Sequence, residues 1–277
     1  MVQIITDSSS LYTKEEGIKA GIVPIPLFVN IGDKNFRDLE IPVEEFIADI
    51  GTGKIPFSSQ PPLGEVVEAY EQYQGKDIIN ISLADGLSGT YQTAVSAREM
   101  VENKEEITVI NSRTLCGPHR YLVECAAAMA LENRTKEEIL AMLEEKMKYT
   151  KSYLIPQDFD YLRRGGRLSP TVAFVGSLLN LKPILILNKE GKSLDKFGMG
   201  RTMKGAVQAV FRQMKSEQVG EKDILYIVHG DALEDALQIE AMAKEEFPGM
   251  EIRVHLLSHV FITHGGPGCI ALQHIRR

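Results

Sequence analysis

Apolar positions come in short runs of four to seven residues separated by longer amphipathic stretches, a rhythm that predicts alternating strands and helices. Val2 to Thr6 reads as a buried strand ending in the polar turn Asp7-Ser8-Ser9-Ser10. Ile22 to Val29 is expected to be extended, because Pro24 and Pro26 exclude a helix there. Gly32-Asp33 makes a turn, and Pro42 to Ile50 a short helix with proline in its first turn. Leu63 to Tyr73 places Val66, Val67 and Tyr70 on one helical face. Asp77 to Leu83 is a strand, followed by the loop Ala84 to Gly89 and a helix to about Asn103. Ile107 to Ile110 is a further strand, with helices at Pro118 to Leu131 and Lys136 to Lys148. This half is expected to form an α/β layer with a mainly parallel sheet.

The second half has a different order. A basic, glycine-containing segment, Asp160 to Ser169, precedes a strand at Leu181 to Leu187 and a hairpin turn at Lys189 to Lys192. Met203 to Ser216 and Asp231 to Phe247 read as helices, and Ile224 to Val228 and Ile252 to Leu257 as strands. The expected fold class is α/β: two α/β domains, 1–150 and 151–277, with a ligand cleft between them and a mixed sheet in the second. No Pro/Ser/Gly linker marks the boundary near Lys151.

Composition narrows the class. With 277 residues, 44% hydrophobic and 25% charged, the chain is long enough to bury a large core without staples. A net charge of −7 argues against a generally basic nucleic-acid or anionic-membrane surface. Trp is absent, which weakens a base- or sugar-stacking platform. Cys116, Cys125 and Cys269 contain no CxxC pair and fit a reducing compartment better than a disulfide framework or a zinc site. No leader-type or membrane-length apolar stretch is present, so a cytoplasmic protein with a small-molecule site is expected.

Four segments carry candidate chemistry. Ile55-Pro56-Phe57-Ser58-Ser59-Gln60-Pro61-Pro62 lies just before a helix; capping accounts for its hydroxyls, and so does anion binding at a helix N-terminus. Ala84-Asp85-Gly86-Leu87-Ser88-Gly89-Thr90-Tyr91 leaves the carboxyl end of a strand, with glycines for close approach and hydroxyls at a helix start. It is neither GxGxxG nor GxxxxGK[ST], and it lacks the GxSxG spacing. Arg163, Arg164 and Arg167, set around Gly165-Gly166, make a concentrated basic patch suited to carboxylate or phosphate, or a solvated turn. Thr263-His264-Gly265-Gly266-Pro267-Gly268 is read as a tight loop after the last strand that holds an imidazole in place. Asp7-Ser8-Ser9-Ser10 is read as a cap, His229 as a supporting group, and Phe197 to Lys204 as a solvated loop or a docking element carrying Arg201 and Lys204.

In order along the chain, Ile5-Thr6-Asp7-Ser8-Ser9, Ser58-Ser59-Gln60-Pro61, Gly86-Leu87-Ser88-Gly89-Thr90-Tyr91, Asp160-Tyr161-Leu162 with Gly165-Gly166-Arg167, Leu181-Lys182-Pro183-Ile184, Gly200-Arg201, and Thr263-His264 with Gly266-Pro267-Gly268 resemble the DegV family of bacterial fatty-acid-binding proteins. That family includes the binding subunit of fatty acid kinase. The resemblance implies one long-chain fatty acid held between two α/β domains, with no other cofactor and no metal. Its carboxylate would be held at Ser58, Ser88 and His264, with Ser59, Gly89 and Thr90 alongside and Arg167 near the head group. A separate ATP-binding kinase subunit would phosphorylate that carboxylate, with Arg201 in the docking turn. Ser58 and Asp85 stand where many members carry Thr and Ser, and Gly265 where a Thr is common. The rival reading from the residues is a serine-type hydrolase or acyltransferase with Ser88 as nucleophile and His264 as base. A phosphate- or sugar-binding regulator built on Arg163, Arg164 and Arg167 is a third.

Overall fold

The structure, a computed structural model, describes residues 1–172 and 181–277. Cα proximity divides the chain into two compact units, Met1–Lys148 with Ser258–Val260, and Tyr149–Leu257 with Phe261–Arg277.

Unit 1 begins with β1 (Gln3–Asp7), α1 (Lys14–Ala20) and β2 (Ile22–Ile25). A reciprocal Thr13–Glu16 capping box starts α1, and Gly21 ends it at φ +70°. A meander follows, β3 (Phe28–Ile31) and β4 (Lys34–Arg37), then α2 (Val43–Gly51), β5 (Pro56–Ser59) and α3 (Leu63–Glu71). The unit continues through β6 (Ile78–Ser82), α4 (Thr90–Arg98), β7 (Ile107–Asn111), α5 (Cys116–Leu131) and α6 (Lys136–Met147).

Its main sheet has the order β2-β1-β6-β7, and every pairing is parallel. Parallel strands joined by helices are covered on both faces and lose the inside–outside alternation. Accordingly all five residues of β6 are buried, including Asn80 and Ser82. Tyr70 on α3 is fully buried beneath this sheet, donating to Ala94 O and accepting from Asn80 Nδ2.

Two details depart from the sequence reading. The extended run Ile22 to Val29 is broken at Pro26-Leu27 into strands of different sheets. β2 joins the parallel sheet, and β3 pairs antiparallel with β4 and β5. The helix expected to reach Asn103 ends at Arg98, before a 3₁₀ turn at Lys104–Glu106.

Unit 2 contains β8 (Thr150–Ile155), α7 (Phe159–Gly165), β9 (Lys182–Leu187), β10 (Leu194–Gly200), α8 (Met203–Ser216) and β11 (Asp223–His229). It closes with α9 (Leu233–Glu246), β12 (Glu251–Leu256), α10 (His259–Gly265) and β13 (Ile270–Arg276); α10 starts within the short segment that groups with unit 1. The sheet order is β10-β9-β8-β13-β11-β12, mixed as expected. Val207, Val210, Phe211 and Met214 of α8 and Ile239 of α9 pack with Leu225, Ile227, Ile270 and Leu272 of the sheet.

β13 corrects the sequence reading, in which the chain's last strand was Ile252 to Leu257. β13 runs antiparallel between β8 and β11, deep in the sheet. Its residues through Ile275 are all buried, polar Gln273 and His274 included, so no two-residue period marks it. Gln273 is accommodated by donating to Ser152 Oγ on β8 at 2.9 Å.

Candidate functional site

Because the main sheet of unit 1 is parallel, the loops after β1, β6 and β7 leave it on one edge, the usual ligand edge of such a sheet. Asp7 organises that edge. Its Oδ1 accepts from Ser9 N at 2.9 Å and its Oδ2 from Leu83 N at 2.9 Å. Ala84 N donates to Thr114 O, and Asp85 N to Asn111 Oδ1. The 84–89 loop is therefore tied to the strands on either side of it.

His119, fully buried on α5, completes the scaffold. Its Nε2 donates to Ile81 O at 3.0 Å and its Nδ1 lies 2.7 Å from Ser9 Oγ. A carbonyl can only accept, so Nε2 carries the proton and Nδ1 accepts from the Ser9 hydroxyl. Burial lowers the His119 pKa, which keeps the ring neutral. Ser9 and His119 stand 110 residues apart, so no local pattern in the sequence links them. Ser9 is only 1% exposed, and this enclosed hydroxyl–imidazole pair fastens α5 to the loop edge.

At the end of this loop Ser88 Oγ and Thr90 Oγ1 lie 2.8 Å apart, and Ser88 Oγ accepts from Thr90 N at 3.3 Å. Gly89 is the N-cap residue of α4 and offers no side-chain cap. Ser58 and Ser59 lie on β5, paired with Val29 and Phe28. Both readings of this segment set the hydroxyls at a helix N-terminus, and the strand pairing corrects that placement. The cap residue of α3 is Pro62, which has no side-chain hydrogen bond, so helix capping is not what these hydroxyls do. Ser58 is half-buried and Ser59 exposed, as strand alternation requires. The two hydroxyl segments meet: a Cβ built on Gly89 would fall 2.0 Å from Gln60 Oε1. Asp85 keeps its Oδ1 enclosed within the protein.

In unit 2, His264 lies in the last turn of α10 rather than in a loop after the last strand, which corrects the expectation for Thr263 to Gly268. Gly266 and Gly268, at φ +78° and +74°, turn the chain from α10 toward β13. His264 Nδ1 is enclosed, and a Cβ on Gly165 would approach it to 2.7 Å. Burial, reinforced by the Arg167 charge, lowers the His264 pKa to about 4. Burial also lowers the Arg167 guanidinium from its ordinary value, and this side chain donates to Gly165 O.

The basic patch resolves into unlike residues, which corrects its reading as one concentrated site. Arg163 pairs with Asp160 on the exposed face of α7, and Arg164 stacks on Tyr161. Arg167, beyond the helix, is the half-buried one beside His264. Arg201 is exposed between β10 and α8, where a Cβ on the preceding Gly200 would meet Ala206 N at 2.5 Å. His229 ends β11 and accepts from Ala232 N through Nδ1 at 3.1 Å. Among the described residues no group of three or more His, Cys, Asp or Glu is arranged to hold a metal. Nor is any helix there long and apolar enough to cross a membrane.

One protein-family profile, described as "Uncharacterised protein, DegV family", matches residues 1–277. Protein DegV of Bacillus subtilis (strain 168) is 30% identical over 277 residues, 98% of each chain. A DegV domain-containing protein of Caldanaerobacter subterraneus is 36% identical, covering 96% of this chain and 95% of its own. The crystal structure of B. subtilis DegV, a fatty acid binding protein, superposes with a TM-score of 0.87 at 29% identity, covering 100% of this chain and 99% of its own. A fatty-acid-binding DegV family protein from Thermus thermophilus gives a TM-score of 0.89 at 25% identity with the same coverage.

Proposed function

This chain belongs to the DegV family, and from that premise we propose that it binds a long-chain fatty acid whose carboxylate is received by Ser58, Ser88 and His264. Ser59, Gly89 and Thr90 line the hydroxyl side of this head-group site, and Arg167 supports the imidazole side. The observation that carries the reading is the His264–Arg167 pair. An enclosed imidazole beside a half-buried guanidinium makes a second positive charge costly: burial first, and the Arg167 charge with it, lower the His264 pKa. A carboxylate placed there relieves that repulsion and takes charge-assisted hydrogen bonds. The neutral ring needs no protonation to donate through a ring N–H. Tail burial contributes affinity, about 0.8 kcal/mol per methylene before the costs of association.

The bound carboxylate is presented to a separate ATP-binding kinase subunit. There a carboxylate oxygen attacks the γ-phosphorus, the bond to the bridging oxygen breaks, ADP leaves and an acyl phosphate forms. The sequence carries neither a GxGxxG nor a GxxxxGK[ST] nucleotide loop. Arg201, exposed on a turn that Gly200 keeps tight, is the docking residue. Native mass spectrometry of the purified protein tests the central claim and is expected to show a co-purifying fatty acid. Ser88→Ala and His264→Ala are each expected to weaken oleate binding about tenfold or more. A wild-type protein free of lipid that also ignores added oleate and palmitate would sink the carrier reading. Ester turnover abolished by Ser88→Ala would favour a hydrolase instead.

A further inference from the structure

Asp38 follows β4 and carries one of the most enclosed carboxylates in unit 1, at 3% exposure. Its own N–H donates to Leu27 O at 2.8 Å. Its Oδ2 accepts from the Ser8 hydroxyl at 2.8 Å, and Ser8 Oγ in turn accepts from Leu27 N at 3.1 Å. Its Oδ1 accepts from Val260 N at 3.2 Å. Val260 is the second residue of α10, whose first N–H groups have no partner inside the helix. The next residue adds a second tie. Leu39, held at φ +69°, donates its N–H to His259 Nδ1 at 3.1 Å. The His259 ring meets Phe36 and Phe46 edge-on, with centroids 5.4 and 5.2 Å away.

The first turn of α10 is thus fixed by hydrogen bonds from two consecutive residues of a β-hairpin exit, one of them a buried carboxylate. The far end of the same helix carries His264. The helix has only seven residues, too few to hold its geometry without help from its ends. Val260 and His264 are four residues apart and so lie on one helical face, one turn from each other. A change in the path of the first turn therefore moves the imidazole.

We infer that Asp38 is a positioning residue for His264: by holding Val260 N it sets the rotation and start of α10, and so the direction in which the imidazole is presented. The inference rests on the reading that His264 receives the fatty-acid carboxylate. Asp38 acts through α10: its Oδ1 holds Val260 N while its Oδ2 accepts from the Ser8 hydroxyl.

The test is a double-mutant cycle on the full chain, with oleate titration, a thermal melt and the His264 imidazole NMR signal as readouts. Asp38→Ala is expected to weaken oleate binding about tenfold in the wild-type background. In a His264→Ala background it is expected to have no further effect. The His264 ring signal of Asp38→Ala is expected to shift or double. Asp38→Asn keeps an oxygen for Val260 N and is expected to recover most of the affinity; it also replaces the alanine variant should that fail to fold. Equal weakening in both backgrounds overturns the inference, as does a lowered melting point with unchanged affinity and an unchanged His264 signal. Lack of oleate binding by the wild type overturns the carrier reading alone; the ligand-free NMR comparison then decides whether Asp38 orients His264.

Discussion

Gln60 Oε1 lies 2.0 Å from the point where a Cβ on Gly89 would stand, so the carboxamide after β5 and the glycine before α4 occupy one contact in which neither has room to grow. This contact brings Ser58 and Ser88 into the same part of unit 1. Gly89→Ala is expected to cost less than about 1 kcal/mol of stability, because the exposed Gln60 side chain can swing aside. Oleate affinity is expected to fall several-fold as the displaced Gln60 carboxamide disturbs the hydroxyl segments beside it. Adding Gln60→Gly should restore it. Titration alongside thermal melting checks both halves of the expectation.

Gly165 faces the imidazole at similarly close range. The 2.7 Å approach of a Cβ to His264 Nδ1 involves a ring atom near the backbone rather than a flexible tip. Gly165→Ala is therefore expected to displace the ring and weaken oleate binding about tenfold. Gly166→Ala should act differently, since space is open there and its cost is the strain of φ +70°. It is expected to lower the melting point with little change in affinity.

His274 sets an acid limit. Both its ring nitrogens are enclosed with no hydrogen-bond partner among the described residues, and burial lowers its pKa from the ordinary 6.5 to about 4. Between those values the unfolded chain takes a proton that the folded protein refuses. Stability from this group is full above pH 6.5, lost as pH falls toward 4, and level below that. The loss is about 1.4 kcal/mol per pH unit. Replacing His274 by Leu is expected to flatten the dependence of denaturant midpoint on pH in that window. An unchanged slope in the variant would contradict the assignment.

Ser9→Ala removes the donor to His119 Nδ1 inside a closed network. It is expected to destabilise the protein by about 1–3 kcal/mol, the cost of a buried acceptor left unmet. Because Ser9 is enclosed, oleate affinity at temperatures well below the melt should change little. Chemical denaturation and titration at one temperature separate the two effects.

The alternation of elements was legible because helices and half-buried strands impose periods that side chains must follow, as at Leu63–Glu71 and Met203–Ser216. The family was legible from short glycine and hydroxyl segments in one order along nearly the whole chain. β13 was not legible, because a strand covered on both sides shows no alternation and admits Gln273 and His274. Ser58 and Ser59 were placed at the right segment but on the wrong element: the Pro-Pro that follows suits the start of a helix, while pairing with β3 makes the residues before it a strand. The same limit applies to Arg163, Arg164 and Arg167, equal in sequence and separated by where α7 ends.

The sequence by itself determined the α/β class, the family and the residue types offered to a carboxylate, since these depend on composition, local period and order. The tertiary structure alone decided which of them are enclosed and what fixes them. Burial lowers the pKa of His264, and Asp38 reaches Val260 across more than two hundred residues of chain. Desolvation and long-range hydrogen bonds depend on the packing of distant segments, and no local pattern of residues encodes them.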